Sequence, residues 1–190
     1  MKFLLPLLLS PLVAQAAWVD GFAPFLKSDR LRDEVEIIAF YYSALWCGPC
    51  RQTTPHVVDF YNQMHAANPR FEIIFISHDQ DVNTMSEYRR RYGMTFPAIR
   101  YDALSRLPRE ILQPPGSGIP QLVLYRRSGE RLSHHVGTRP VLQAMNSLLQ
   151  ATGDDRSFQK EPGFWEQNRR TLFVIFSLAL VWFLLKKFSR

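Results

Sequence analysis

"VEIIAFYYSALWCGPCRQTTP", Val35 to Pro55, sets the chain's two cysteines between what reads as a strand and what reads as a helix. Val35 to Tyr42 is a run of apolar, β-branched and aromatic side chains interrupted only by Glu36, the pattern of a strand buried on both faces. Beyond the cysteines, Val57, Val58, Phe60, Tyr61 and Met64 recur at helical spacing until Asn68-Pro69 ends the pattern after Ala67. "FEIIFIS", Phe71 to Ser77, then repeats the strand signature. Two buried strands joined through one helix predict a βαβ unit with a parallel pair, and therefore an α/β fold.

A Cys-x-x-Cys pair at a strand-to-helix junction has a specific chemical use. Cys47 falls at the helix N-terminus, where unpaired backbone N–H groups and the macrodipole favour a thiolate, and Cys50 falls one turn inward, within bonding reach. The first sulfur is suited to attack a disulfide and the second to resolve the mixed disulfide that results. Pro49 sits in the first turn, where its missing N–H costs little. Zinc is disfavoured, because no further cysteine exists and His56, His78, His134 and His135 do not form a second half-site. His134 and His135 are strand neighbours that face opposite sides. Covalent haem requires histidine after the second cysteine, where Arg51 stands. A purely structural disulfide across so short a loop would remove little unfolded-state entropy.

Trp46-Cys47-Gly48-Pro49-Cys50 in this setting resembles the active-site motif of thioredoxins. The wider stretch "FYYSALWCGPCRQTTPHVVDFYN" more closely resembles the tryparedoxin and nucleoredoxin branch, through Tyr41-x-Ser43-Ala44-x-Trp46-Cys47, Arg51 and Thr54-Pro55. The resemblance runs from about Val35 to Ala151, closely at the motif and loosely after Ser77. It implies a three-layer fold with a four- or five-stranded mixed sheet flanked by helices, and a cis-proline facing the cysteines. Ile119-Pro120 holds the matching position, with Pro97 as its competitor. It also implies that Trp46, Gly48, Pro49, Ile119 and Pro120 contact substrate. Where many thioredoxins bury an acid six positions before the first cysteine, this chain has Tyr41, whose ordinary pKa near 10 suits a hydrogen-bond donor better than a base.

The remaining elements are read from pattern. Trp18 to Glu34 is expected to form a short leader helix started or interrupted at Pro24. Asp81 to Gly93 reads as a helix closed by Gly93 with its arginines facing water. Ser105 to Ile111 suggests one more helix within a proline-rich region, and "SHDQD", Ser77 to Asp81, reads as loop solvation and helix capping. Gln121 to Val136 reads as two strands around a Ser128-Gly129 turn. A final helix follows, with Val141, Leu142, Met145, Leu148 and Leu149 as its apolar stripe and Gly153 at its end.

The 190 residues allow one domain with appendages. Met1-Lys2, the apolar run Phe3 to Val13 and Ala14-Gln15-Ala16 form a signal-peptide pattern over residues 1–16, with a domain at 17–153 and a polar linker at 154–168. Thr171 to Leu185 carries no charge and no helix breaker, and predicts a membrane helix over 169–188 with Arg169 and Arg170 at one end and Lys186 and Lys187 at the other. The net charge of +6 comes from dispersed arginines, with one tight cluster at Arg89-Arg90-Arg91, which reads as solvated surface rather than a nucleic-acid interface.

The expectation is a membrane-anchored, extracytoplasmic protein-disulfide reductase acting on protein thiols and disulfides. No cofactor is expected, and with no nucleotide-binding glycine motif its electrons would come from a membrane donor. A peptide-binding or chaperone domain without redox activity, and a specialised apocytochrome c reductant, are the alternatives.

Overall fold

The sheet is built around a strand with no solvent-facing side. In the computed structural model, which describes residues 18–27, 31–114 and 116–156, β1 (Ile37–Ser43) is buried at every position. It pairs in parallel with β2 (Phe71–Ser77), also wholly buried, and antiparallel with β3 (Gln121–Arg126). β4 (Arg131–Val136) completes the order β2-β1-β3-β4, four strands in a mixed sheet among the described residues. The parallel pair requires a crossover, which α1 (Gly48–Met64) supplies.

Pleating separates two cores. Ile37, Ala39 and Tyr41 of β1 join Phe71, Ile73 and Phe75, Leu122 and Leu124 on the face covered by α1, α2 (Val82–Arg91) and α4 (Thr138–Ala151). Ile38, Phe40 and Tyr42 join Ile74, Ile76, Val123 and Tyr125 on the opposite face, under the leader and the 99–111 segment. The final helix buries Val141, Ala144, Met145, Leu148 and Leu149, with Leu142 partly buried at the margin.

Three expectations change. The leader is not one helix: a turn at Trp18 leads into a 3-10 turn at Ala23–Phe25 that Pro24 helps to start, and Leu26 bridges to Ile99. The helix expected over Ser105 to Ile111 is split into a 3-10 turn, Tyr101–Arg106, and α3 (Arg109–Leu112). Leu107 is extended (φ −62°, ψ 148°), as the residue before Pro108 prefers to be. Arg89 does not face water as its neighbours Arg90 and Arg91 do; its Nη2 caps the Met94 carbonyl at 3.3 Å and the Phe96 carbonyl at 2.9 Å. Gly93 does close α2, at φ +63°, a conformation that disfavours a side chain.

The chain divides after Phe158, and every described residue belongs to the first unit. The expected signal segment at 1–16, the linker beyond Arg156 and the membrane helix at 169–188 lie outside the described residues. Among the described residues no helix is long and apolar enough to cross a membrane.

Candidate functional site

β1 delivers the motif to the C-terminal edge of the sheet. Cys47 is the N-cap of α1, extended at φ −79° and ψ 115°, and its Sγ accepts the Cys50 backbone N–H at 3.2 Å. The sulfur thus occupies the place where a helix start offers unpaired donors and the positive end of its dipole. Cys47 and Cys50 are joined as a disulfide with Cα atoms 5.1 Å apart. Cys47 keeps 6% of its surface open and Cys50 none, so an incoming sulfur meets Cys47 first. Gly48 and Pro49 open the helix between them.

The Ile119-Pro120 bond is cis, as the resemblance implied, and the competitor Pro97 is not. Pro97 instead serves the sheet edge, its carbonyl accepting the Phe75 N–H at 2.8 Å. Ile119 packs on Ala44, Cys47 and Cys50, and its carbonyl oxygen lies 3.6 Å from Cys47 Sγ. In the disulfide that sulfur carries no proton, so this is a contact; in the dithiol an S–H can donate along it.

Trp46 is 59% exposed, the most open large apolar side chain named at the site, so it presents a face outward instead of joining the core. Its indole N–H donates to the His78 carbonyl at 2.9 Å. Between them a groove of about 360 Å³ is lined by Tyr42, Trp46, His78, Leu112, Ile119 and Gln121, among others. Desolvation lowers the His78 imidazole below its ordinary pKa, against the pull of Asp79.

Sequence reading missed the residues that hold the loop. Asp79 is buried at 6% exposure; its Oδ1 accepts the Leu45 N–H at 2.7 Å and its Oδ2 the Ser77 hydroxyl at 2.8 Å. Arg51 Nη1 donates to the Leu45 carbonyl at 2.9 Å and to that of Trp46 at 3.3 Å. Leu45 is therefore gripped at both backbone polar groups, one residue before Trp46. The Thr53 hydroxyl reaches the Pro49 carbonyl and Thr138, each at 2.9 Å, tying the first turn of α1 to the start of α4. The rest of "SHDQD" behaves as read: Asp81 caps α2 by accepting the N–H groups of Asn83 and Thr84.

Tyr41 does not meet the solvent. Burial raises its phenol far above the ordinary value, so it stays protonated, and its hydroxyl bonds Thr54 Oγ1 at 2.8 Å. His134 and His135 fall at successive β4 positions opposite Val123 and Leu122 and so face opposite sides. Among the described residues no three His, Cys, Asp or Glu side chains converge as a metal set.

Comparison with known proteins agrees with this geometry. Residues 34–130 match a family profile described as thioredoxin-like. The chain is 33% identical over 99 residues to probable nucleoredoxin 1 of Arabidopsis thaliana, covering 52% of this chain and 16% of that protein. It is 38% identical over 69 residues to tryparedoxin of Trypanosoma brucei brucei, covering 36% and 45%. The matched region thus spans less than half the length of either relative. Native tryparedoxin I from Crithidia fasciculata superposes with a TM-score of 0.55 at 21% identity, covering 78% of this chain and 99% of that one, a likeness of fold. With a buried Cys-x-x-Cys at the head of α1, a cis-proline beside it and a profile spanning half its length, this chain belongs to the thioredoxin-like family.

Proposed function

We propose that this chain is a thiol–disulfide oxidoreductase that reduces disulfides of protein substrates, held outside the cytoplasm by its apolar C-terminal segment. The observation that carries the reading is the asymmetry of the pair: Cys47 keeps a narrow opening to solvent at a helix N-terminus while Cys50, bonded to it, keeps none. Reduced Cys47, as thiolate, attacks one sulfur of a substrate disulfide and releases the other as a thiolate, leaving a mixed disulfide. Cys50, deprotonated, then attacks Cys47 Sγ, re-forms the Cys47–Cys50 bond and releases the second substrate sulfur. Two electrons pass to the substrate, and a dithiol donor, here a membrane partner, must return them.

The groove beside Trp46 and the Ile119 backbone suits an extended peptide laid along the Ile119-Pro120 edge. The Gly48-Pro49 dipeptide resembles that of reducing members, which supports the direction. The apolar run Thr171 to Leu185 and the export-like start support the anchored, extracytoplasmic placement.

Insulin reduction by the reduced full chain tests the activity: Cys47→Ser is expected to abolish turnover, and Cys50→Ser to trap substrate on Cys47. Unchanged turnover in Cys47→Ser would end the redox reading and leave the groove as a peptide-binding surface. A potential near that of reducing members, about −270 to −200 mV, supports reduction, whereas one near −120 mV would reverse the direction. Retention in carbonate-washed membranes, lost on deleting 169–188, tests the anchor; a full chain that washes off as a soluble protein contradicts it.

A further inference from the structure

Behind Cys50 lies a cluster of four hydroxyls that the attack on substrate does not use. Tyr41 and Ser43 come from alternate positions of β1, Thr54 from α1 and Tyr88 from α2, and all four are fully buried. Tyr41 OH lies 2.8 Å from Thr54 Oγ1, Tyr88 OH 2.5 Å from Thr54 Oγ1, and Ser43 Oγ 2.8 Å from Tyr88 OH. Thr54 Oγ1 is also 2.9 Å from the carbonyl oxygen of Cys50.

Counting donors fixes the direction of every bond. A carbonyl can only accept, so the single Thr54 proton goes to Cys50. Thr54 Oγ1 must then accept from both phenols, with its two lone pairs. Tyr88 has thereby used its proton, so Ser43 must donate to Tyr88. The chain of donors runs Ser43 to Tyr88 to Thr54 to the Cys50 carbonyl, with Tyr41 feeding the same Thr54 oxygen, so the last hydroxyl offsets the negative end of the Cys50 carbonyl dipole in the residue that carries the sulfur.

We propose that Thr54 and Tyr88 are positioning residues for the resolving step, whose aligned hydroxyls favour the thiolate form of Cys50 without ever taking its proton. The inference rests on the oxidoreductase reading of the same pair. All four protons are committed, and burial keeps both phenols protonated, so the cluster has no base to offer. The proton leaving Cys50 ends on the departing substrate thiolate by way of solvent at Cys47: the Cys50 sulfur bonds Cys47 Sγ, the mixed disulfide breaks, and charge and protons balance. The ionisable groups facing the cluster are Tyr41 of β1, Tyr88 of α2, Tyr92 at the end of α2 with its ring 5.1 Å from that of Tyr88, and Asp79 beyond β2, whose charge acts on Tyr88; Cys47 caps α1 and Arg51 lies on it. Low polarity in the buried site strengthens oriented dipoles of this kind.

The test is the ionisation of Cys50 in the full chain carrying Cys47→Ser, followed by thiolate absorbance against pH. Thr54→Val and Tyr88→Phe are each expected to raise the midpoint by about one unit, a tenfold loss of thiolate at fixed pH, with unchanged circular dichroism. Tyr42→Phe, which removes a buried hydroxyl bonded on the opposite face to the Ile111 carbonyl, is expected to leave it in place. Should Thr54→Val fail to fold, Tyr88→Phe and Ser43→Ala carry the test. A midpoint that stays put in folded Tyr88→Phe, or moves equally in Tyr42→Phe, overturns the proposal. Because this readout needs no substrate, the two failures are distinguishable: a chain that reduces nothing yet shows the shift overturns the functional reading, and with it the resolving role, while the effect of the hydroxyls on Cys50 ionisation stands.

Discussion

Asp79 shows how a single carboxylate can define an active-site loop from a distance. It stands 34 positions from Leu45 in sequence and accepts that residue's N–H at 2.7 Å. Removing it leaves a partly buried donor unpaired and releases Ser77, so Asp79→Ala is expected to cost roughly 1–3 kcal/mol in urea unfolding. Within error of the parent, the measurement would show that the loop holds itself. The cysteines were legible because their chemistry depends on spacing along the chain, and Pro120 because the resemblance to thioredoxins implied a cis-proline there. Asp79, Arg51, Thr54 and Tyr88 were not, because each acts on a backbone or hydroxyl group brought near only by folding, and polar residues after a strand ordinarily face water. The same limit applies to Arg89, whose neighbours Arg90 and Arg91 do lie in solvent.

At the scale of elements, the apolar runs were decisive. Phe71 to Ser77 forms a strand with the bounds the pattern gave, and the helix begun at the cysteines closes near Asn68-Pro69 as its breaker required. Pattern failed where short segments take their shape from what they cover. The leader lies on the sheet through Trp18, Phe22, Phe40 and Tyr125, with ring centroids 5.1 Å apart for Trp18 and Phe22 and 5.2 Å for Phe22 and Phe40. Trp18 also fills the space beside Gly129, where an added Cβ would meet the indole at 2.7 Å. A segment so held needs no helical period of its own. Phe22 is fully buried, and Phe22→Ala is expected to destabilise the domain by about 3–5 kcal/mol in denaturant. Cys47 alkylation should be unaffected in the folded variant, since the leader packs on the opposite face of the sheet from α1. A loss below about 1 kcal/mol would mean that the leader is only loosely docked.

For the molecule as a whole, pH exposes two sets of groups. Desolvation lowers His78, His134 and His135, so the unfolded chain binds their protons first as pH falls through about 6.5, and stability declines from there toward their folded values. Asp154 is held well below the carboxylate range by Arg156, with Asn68 also donating to it, and Asp81 by the Thr84 N–H. Their contribution is complete above the unfolded value near 3.9 and is lost as pH falls toward their lowered folded values. The melting temperature is therefore expected to fall in two stages, below about pH 6.5 and again below about pH 4; a constant value between pH 7 and 5 would contradict the first stage. Asp154→Asn should blunt the second, because Asp154 belongs with Asn68 and Thr152 to the contacts that fasten the end of α4 to the turn before β2.

The central claim is that folding makes Cys47 the acidic, accessible sulfur of a redox pair. The rate of iodoacetamide alkylation of the reduced full chain against pH measures it directly. The account predicts a midpoint for Cys47 at or below about 7.5, under the value near 8.5 of a free thiol, with Cys50 reacting far more slowly. A midpoint at 8.5 or above, or equal reactivity of the two thiols, would contradict it.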